Sequence, residues 1–110
     1  MAVSSKVLIP SKLAEIAQTT QYTATNVKAT IDKFTATNTD VNDATLSVNL
    51  VAASGTPGAG NLIVDTRTIA PGETYTCPEL VGHNLEIGGF ISTATSANVI
   101  TIRASGREIT

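Results

Sequence analysis

Asn38, Asp40 and Asn42 stand two residues apart with Asp43 beside them, an oxygen-rich spacing like the opening of a calcium loop. An EF-hand loop begun at Asn38 would need Gly at its sixth position and a bidentate Glu at its twelfth. Those positions hold Asp43 and Asn49, and the flanking residues alternate with period two where the motif needs helices. Asn and Asp also bond their own backbone and tolerate left-handed conformations, which collects them in turns. The segment therefore reads as a hairpin-like turn between two strands, with no metal assigned to it.

The other chemistry-bearing residues lead to similar readings. His83, the one histidine, lies in a VGHN turn, where simple exposure accounts for it and no His pair can be built. Cys77 precedes Pro78 at the end of an apolar strand and reads as a buried thiol, since free cysteine packs as a small hydrophobe. A Cys77/His83 dyad would need a strand pair to bring the two together. Asp32, Asp40, Asp43, Asp65, Glu73, Glu79 and Glu86 are scattered over turns and wet faces, so spacing singles out no glycosidase pair. The loop ASGTPGAGN, residues 53–61, invites a phosphate reading, but a Walker A motif ends Gly-Lys-Ser/Thr and this loop ends Gly60-Asn61. No catalytic residue and no cofactor are expected. Sugar binding stays a minor alternative, because stacking platforms are limited to Tyr22, Tyr75, Phe34 and Phe90 and Trp is absent.

The elements that must position these residues follow from composition. At 110 residues the chain makes one domain. Thr is its commonest residue, with Val and Ile abundant, which favours pleated, half-buried surfaces and an all-β fold. Charged residues are 15% and the net charge is -2, so no basic field attracts nucleic acid. A single cysteine leaves packing and hydrogen bonds to hold the fold, which is compatible with a reducing compartment. No apolar run has the length of a membrane span and the N-terminus lacks the apolar core of a signal peptide. Synthesis and retention in the cytoplasm are expected, with any exit from the cell as part of a particle.

Along the chain, Val7, Leu8 and Ile9 form an apolar cluster ended by Pro10, which supplies no backbone donor and suits an arm or an edge. Residues 11–18 fit either a two-turn helix or a strand. Val27, Ala29 and Ile31 alternate with Lys28, Thr30 and Asp32, while Phe34 falls out of phase; a bulge near Lys33 would return it to the core side. Ala44, Leu46, Val48 and Leu50 mark the cleanest strand. After the Gly-rich loop, Leu62 and Val64 face one way and Ile63, Asp65 and Arg67 the other. Pro71-Gly72-Glu73 is a turn, TYTC is a strand stopped by Pro78, and Gly88-Gly89 inside residues 84–92 marks a bulge or a close backbone approach. NVITIRA is the last firm strand. Seven or eight short strands at spacings of about 8–12 residues predict an antiparallel β-sandwich or jelly roll over residues 21–110, preceded by an N-terminal arm and linking segment over residues 1–20.

Three stretches together, QYTATNVKATIDKFTATNTDVNDATLSVNLV, IAPGETYTCPELVGHNLEIGGFISTATSANVITI and ASGREIT, resemble a family of small β-rich tailed-phage virion proteins. The resemblance lies in a first strand pair joined at an Asn/Thr turn, a Pro-Gly-Glu turn, an apolar strand with a polar break and a closing Ser-Gly-x-Glu. The family often has Gly-Asp where this chain has Gly88-Gly89. Size, the N-terminal arm and the lack of a receptor-binding extension are most similar to capsid decoration, or cement, proteins of short-tailed phages. What the resemblance implies is a non-enzymatic staple, often paired as a homodimer, that bridges neighbouring copies of the major capsid protein from the outer surface of the head. Tail and baseplate proteins share the pattern. Neither nucleic acid nor membrane is an expected partner, and no site residue is carried over. Edges and arms can add to a partner's sheet, so Val7, Leu8 and Ile9 are expected either to contact a neighbour or to close the domain's own sheet.

Overall fold

The computed structural model describes residues 2–110. Its strands are β1 (Val3–Leu13), β2 (Thr19–Thr23), β3 (Lys28–Asn38), β4 (Ala44–Val51), β5 (Leu62–Ile69), β6 (Thr74–Tyr75), β7 (Asn84–Leu85), β8 (Phe90–Thr95) and β9 (Ile100–Ile109), with one 3-10 turn at Ala59–Asn61. One sheet has the order β1-β9-β3-β6, with β7 also on β3, and the other has the order β2-β8-β4-β5. Every pairing is antiparallel, and the pairs nest: β1 with β9, β2 with β8, β3 with β6 and β7, β4 with β5. This is one long hairpin, its tip between β4 and β5, rolled over two sheets so that β9 also meets β3 and β8 also meets β4. The architecture is the expected jelly-roll sandwich. Among the described residues nine strands occupy eight positions, because one position is split into β6 and β7 by a segment containing Cys77, at φ 45, and Pro78.

The alternation read from the sequence builds the core between the sheets. Ala29, Ile31, Phe34 and Ala36 of β3 meet Leu46 and Val48 of β4, with Ile91, Ile100 and Ile102 joining the same cluster. The bulge in β3 is present: its register on β9 shifts between Ile31 and Lys33, which returns Phe34 to full burial. The freed backbone groups of Ile31 are taken by the loop before β7, where Gly82 N donates to Ile31 O and Ile31 N to His83 O. Gly72, at φ 74, makes the Pro-Gly-Glu turn, and Glu73 N donates back to Ala70 O.

Three expectations need correction. The N-terminal arm over residues 1–20 is in its described part largely a strand of the sandwich: β1 pairs with β9 from Val3 to Leu13. Leu8 is 4% and Ile9 0% exposed, whereas Val7 is 40% exposed. Burying two large apolar side chains and covering one flank of β9 favours docking over a free arm. Register shifts between Val7 and Lys12 let Pro10 sit on the edge without a donor. The helix option for residues 11–18 is not taken: Ser11–Leu13 continue β1 and the remainder is irregular connection.

The Asn/Asp segment is not a hairpin turn, because β3 and β4 lie in different sheets and residues 39–43 carry the chain across the sandwich. Asn38 holds this corner. Fully buried, it donates from Nδ2 to Asn42 O and Ile69 O, both at 2.8 Å, and accepts from Asp40 N at 2.9 Å. Asn38→Ala would strand three backbone groups, each worth about 1–3 kcal/mol if left unpaired. A loss of about 3 kcal/mol in urea unfolding is expected; a change under about 1 kcal/mol would show that the corner does not depend on this side chain. At Gly88-Gly89, the alternative of a close backbone approach is the one found, in a turn that carries the chain from one sheet to the other. Gly88 is at φ 84, and a Cβ there would lie 2.8 Å from Ala53 Cβ.

Candidate functional site

The residues that suggested chemistry serve the fold. Besides the Asn38 corner, Asp40 caps Val41 N at 2.8 Å. Among the described residues no three His, Cys, Asp or Glu side chains converge as a metal-ligand set. Cys77 is buried, its Sγ 3.8 Å from Tyr75 O, and burial, helped by the charge of Glu79, pushes the thiol up to about 12. It is a packed, unreactive thiol. His83 is exposed in its turn. In the Gly-rich loop, Asn61 accepts from Asn49 Nδ2 and Gly58 N and donates to Thr56 O, so its polar groups close the loop on itself.

Both tyrosines form latches of the same kind. Tyr22 of β2 reaches across to the other sheet, donating to Glu108 Oε2 at 2.5 Å, while Lys6 Nζ lies 3.2 Å from Glu108 Oε1. Tyr75 of β6 donates to both carboxylate oxygens of Glu79, at 2.6 Å for Oε2, and the Arg67 guanidinium of β5 lies 4.3 Å from the ring centre. Burial first and then Glu79 push Tyr75 up to about 12, and the phenol hydrogen bonds hold Glu79 and Glu108 below the usual carboxylate range. Bonds from Gln21 and Lys12 likewise hold Glu15 down at about 2.

A carboxylate lowered in the folded state contributes stability above its ordinary value that is lost as pH falls through the lowered value. The thermal midpoint should therefore decline below about pH 4.5 and keep falling toward pH 2. Tyr22→Phe removes the main cause of the Glu108 shift and should make that decline shallower. An identical acid profile in the variant would contradict the latch. The raised phenol works in the other direction: its contribution is complete below pH 10 and lost toward pH 12.

The outer face of the larger sheet carries a constellation that neither the core nor the latches use. Lys33 opposes Ser105, and Thr35 opposes Arg103, in alternate pairs of the β3–β9 ladder, with the inward pair Phe34 and Ala104 between them. Directly opposed residues share a face, and these four line a shallow depression of about 190 Å³ on the outside of the larger sheet. Val7 opposes Ser105 from the other side, so Val7, Ser105 and Lys33 form one row over three strands. Four residues on, beyond Thr35 and Arg103, Leu13, Thr101 and Thr37 form a parallel row, with Leu13 45% exposed. Of the expected partner contacts, then, Val7 looks outward beside this depression, and Leu8 and Ile9 are spent on the core.

The seven Lys and Arg side chains divide clearly. Lys6 pairs with Glu108, Lys12 with Glu15, Lys28 with Glu86 and Arg107 with Asp32, and Arg67 covers Tyr75. Among the described residues, the two with neither a carboxylate nor an aromatic partner, Lys33 and Arg103, both line the depression. Arg103 has only a 3.4 Å contact to Ser11 Oγ. Sequence reading took Lys33 as a bulge position and passed over Arg103, because only the strand register joins them. No known protein family model matches the chain, and no curated protein or solved structure matches it.

Proposed function

We propose that the chain is a non-enzymatic virion structural protein of a tailed phage, a decoration protein that binds the outer surface of the head and bridges copies of the major capsid protein, with a homodimer as the favoured form. The observation that carries this reading is where the phage-like stretches fall. They supply β3, β4 and β8 and most of β9, the four inner strands of the two sheets, and with them the turns that set the jelly-roll order. The fold alone hosts many functions, capsid and lectin domains among them, so it supports the reading by analogy.

The disposition of the aromatic rings favours decoration over sugar binding. Phe34 is fully buried, Tyr75 lies beneath Arg67, and Tyr22 and Phe90 are half-buried, so the rings are committed inward. A sugar-stacking platform would present a ring face to solvent. The alternative of a tail or baseplate location is separated by experiment. Purified protein should co-sediment saturably with expanded, DNA-filled heads of the phage that encodes it and not with isolated tails; binding to tails alone, or to neither, would remove the decoration reading.

A further inference from the structure

We propose that the outer face of the larger sheet is the docking face, and that Lys33 and Arg103 receive the carboxylates of an acidic, extended segment of a protein partner, with Val7 and Leu13 supplying the apolar border. For the source of that segment, a capsid subunit, the proposal rests on the function proposed above.

Charge complementarity carries the argument. In a chain of net charge -2, five of the seven cations have a carboxylate or aromatic partner among the described residues, and Arg103 has only the long contact to Ser11 Oγ. The two that remain flank one depression whose other lining residues, Thr35 and Ser105, are short and hydroxyl-bearing. Short residues between long cations let a carboxylate approach both heads. The Arg103 guanidinium offers a planar fork for a carboxylate and Lys33 a point charge beside it, while the hydroxyls can donate to the same oxygens.

The site reflects the backbone that makes it. The β3 bulge breaks the alternation, so that Asp32 and Lys33 are both exposed. Asp32 is drawn to Arg107, with Nη2 to Oδ1 at 3.0 Å, and that pairing leaves Lys33 without an acidic neighbour. The bulge that saves Phe34 for the core thus also isolates a positive charge on the outside.

A protein carboxylate fits better than a phosphate backbone. Nucleic-acid surfaces present an extended basic track, often with aromatic platforms. Here the cations with neither an acidic nor an aromatic partner among the described residues are two, Arg107 being paired with Asp32, and the flank toward β1 carries Val7, Ser11 and Leu13 rather than further charge. Apolar border and central charge together match a segment that alternates acidic and apolar residues and lies along the strands.

The test uses the full chain, isotope-labelled, titrated with a hexaglutamate peptide and, separately, inorganic phosphate, a short oligothymidylate and hexalysine. Hexaglutamate should shift the amides of Lys33, Thr35, Arg103 and Ser105 saturably. The double variant K33Q/R103Q, whose altered side chains are exposed, should keep the remaining spectrum and bind about tenfold more weakly or worse, with the wild-type affinity falling as salt is raised. Absence of these shifts, shifts centred elsewhere, or equally tight binding by phosphate or oligothymidylate would overturn the assignment. So would shifts at these amides on raising protein concentration alone, which would give the face to a second copy. Sedimentation with heads then separates the two layers of the argument. A double variant that binds heads like the wild type would overturn the docking face while leaving decoration intact. Wild-type protein that holds hexaglutamate but ignores heads would support the site and remove the capsid as its partner.

Discussion

Gly106→Ala should be among the most damaging single substitutions in the chain, lowering stability by about 3 kcal/mol or more. A Cβ built on Gly106 would lie 1.9 Å from the carbonyl oxygen of Thr30 and 3.1 Å from Leu8 Cδ1. The first neighbour is backbone, and it belongs to the strand paired with β9, so it cannot turn aside as a side chain would. Gly106 opposes Ile31 at the point where β3 bulges, and on its other side it opposes Lys6 of β1. Moving β9 away would open both ladders at the centre of the sheet and disturb the contacts of Ile31 with Gly82 and His83. In a domain of this size the expected drop in thermal midpoint is about 10 °C or more. Gly60→Ala serves as the control, since a Cβ there meets nothing within 4 Å. Equal midpoints for the two variants would show that β9 has room the structure does not give it.

Removal of residues 2–10 should abolish cooperative folding rather than release a dispensable arm. The deletion takes away most of an edge strand, bares one flank of β9 and removes Leu8 and Ile9 from the core. Burial of those two side chains alone is worth about 3–6 kcal/mol, against a total stability of about 5–15 kcal/mol for a typical domain. Circular dichroism should show a broad or absent thermal transition, with new binding of a hydrophobic dye. A truncated chain that melts sharply within a few degrees of the intact one would contradict this account of β1. The consequence for function is practical: lost head binding in such a truncation would report unfolding. Val7→Ser, which changes an outward side chain only, is the variant that probes contact.

The sequence is legible where the signal is local. Alternation in residues 44–50, the phase break at Phe34 and the Pro71-Gly72-Glu73 turn each depend on neighbours within a few positions, and each is found in the structure. Cys77 before Pro78 announced its burial in the same way. Local signals also misled. Asn and Asp collect in hairpin turns and in corners alike, and only the partner of Asn38 at Ile69 O, 31 residues away, distinguishes the two. The cluster from Val7 to Ile9 looked like an arm because its partner, β9, lies at the far end of the chain. The placing of Lys33 and Arg103 around one depression was hidden for the same reason: only the register that joins β3 to β9 brings them near each other.

The same distances describe how the protein is held together. The first strand pairs with the last, and the Tyr22–Glu108 latch ties the second strand to that last one across the sandwich. The chain closed in this way has Lys33 and Arg103 on the outer face of the larger sheet, in alternate pairs of the β3–β9 ladder. In the proposed decoration role, docking many copies on a repeating shell would need little affinity at each contact, because multiplicity raises occupancy. Whatever binds the assembled shell in preference to its separated subunits also stabilises it, by linkage.

That linkage gives the most direct test. Under the proposed function, heads that lack the protein should be titrated with purified wild-type chain, and the temperature at which they release their DNA followed at each occupancy. The account predicts that the release temperature rises with occupancy and levels off when the sites are full. Saturated heads that release their DNA at the same temperature as bare ones, or heads that never take up the protein, would contradict it.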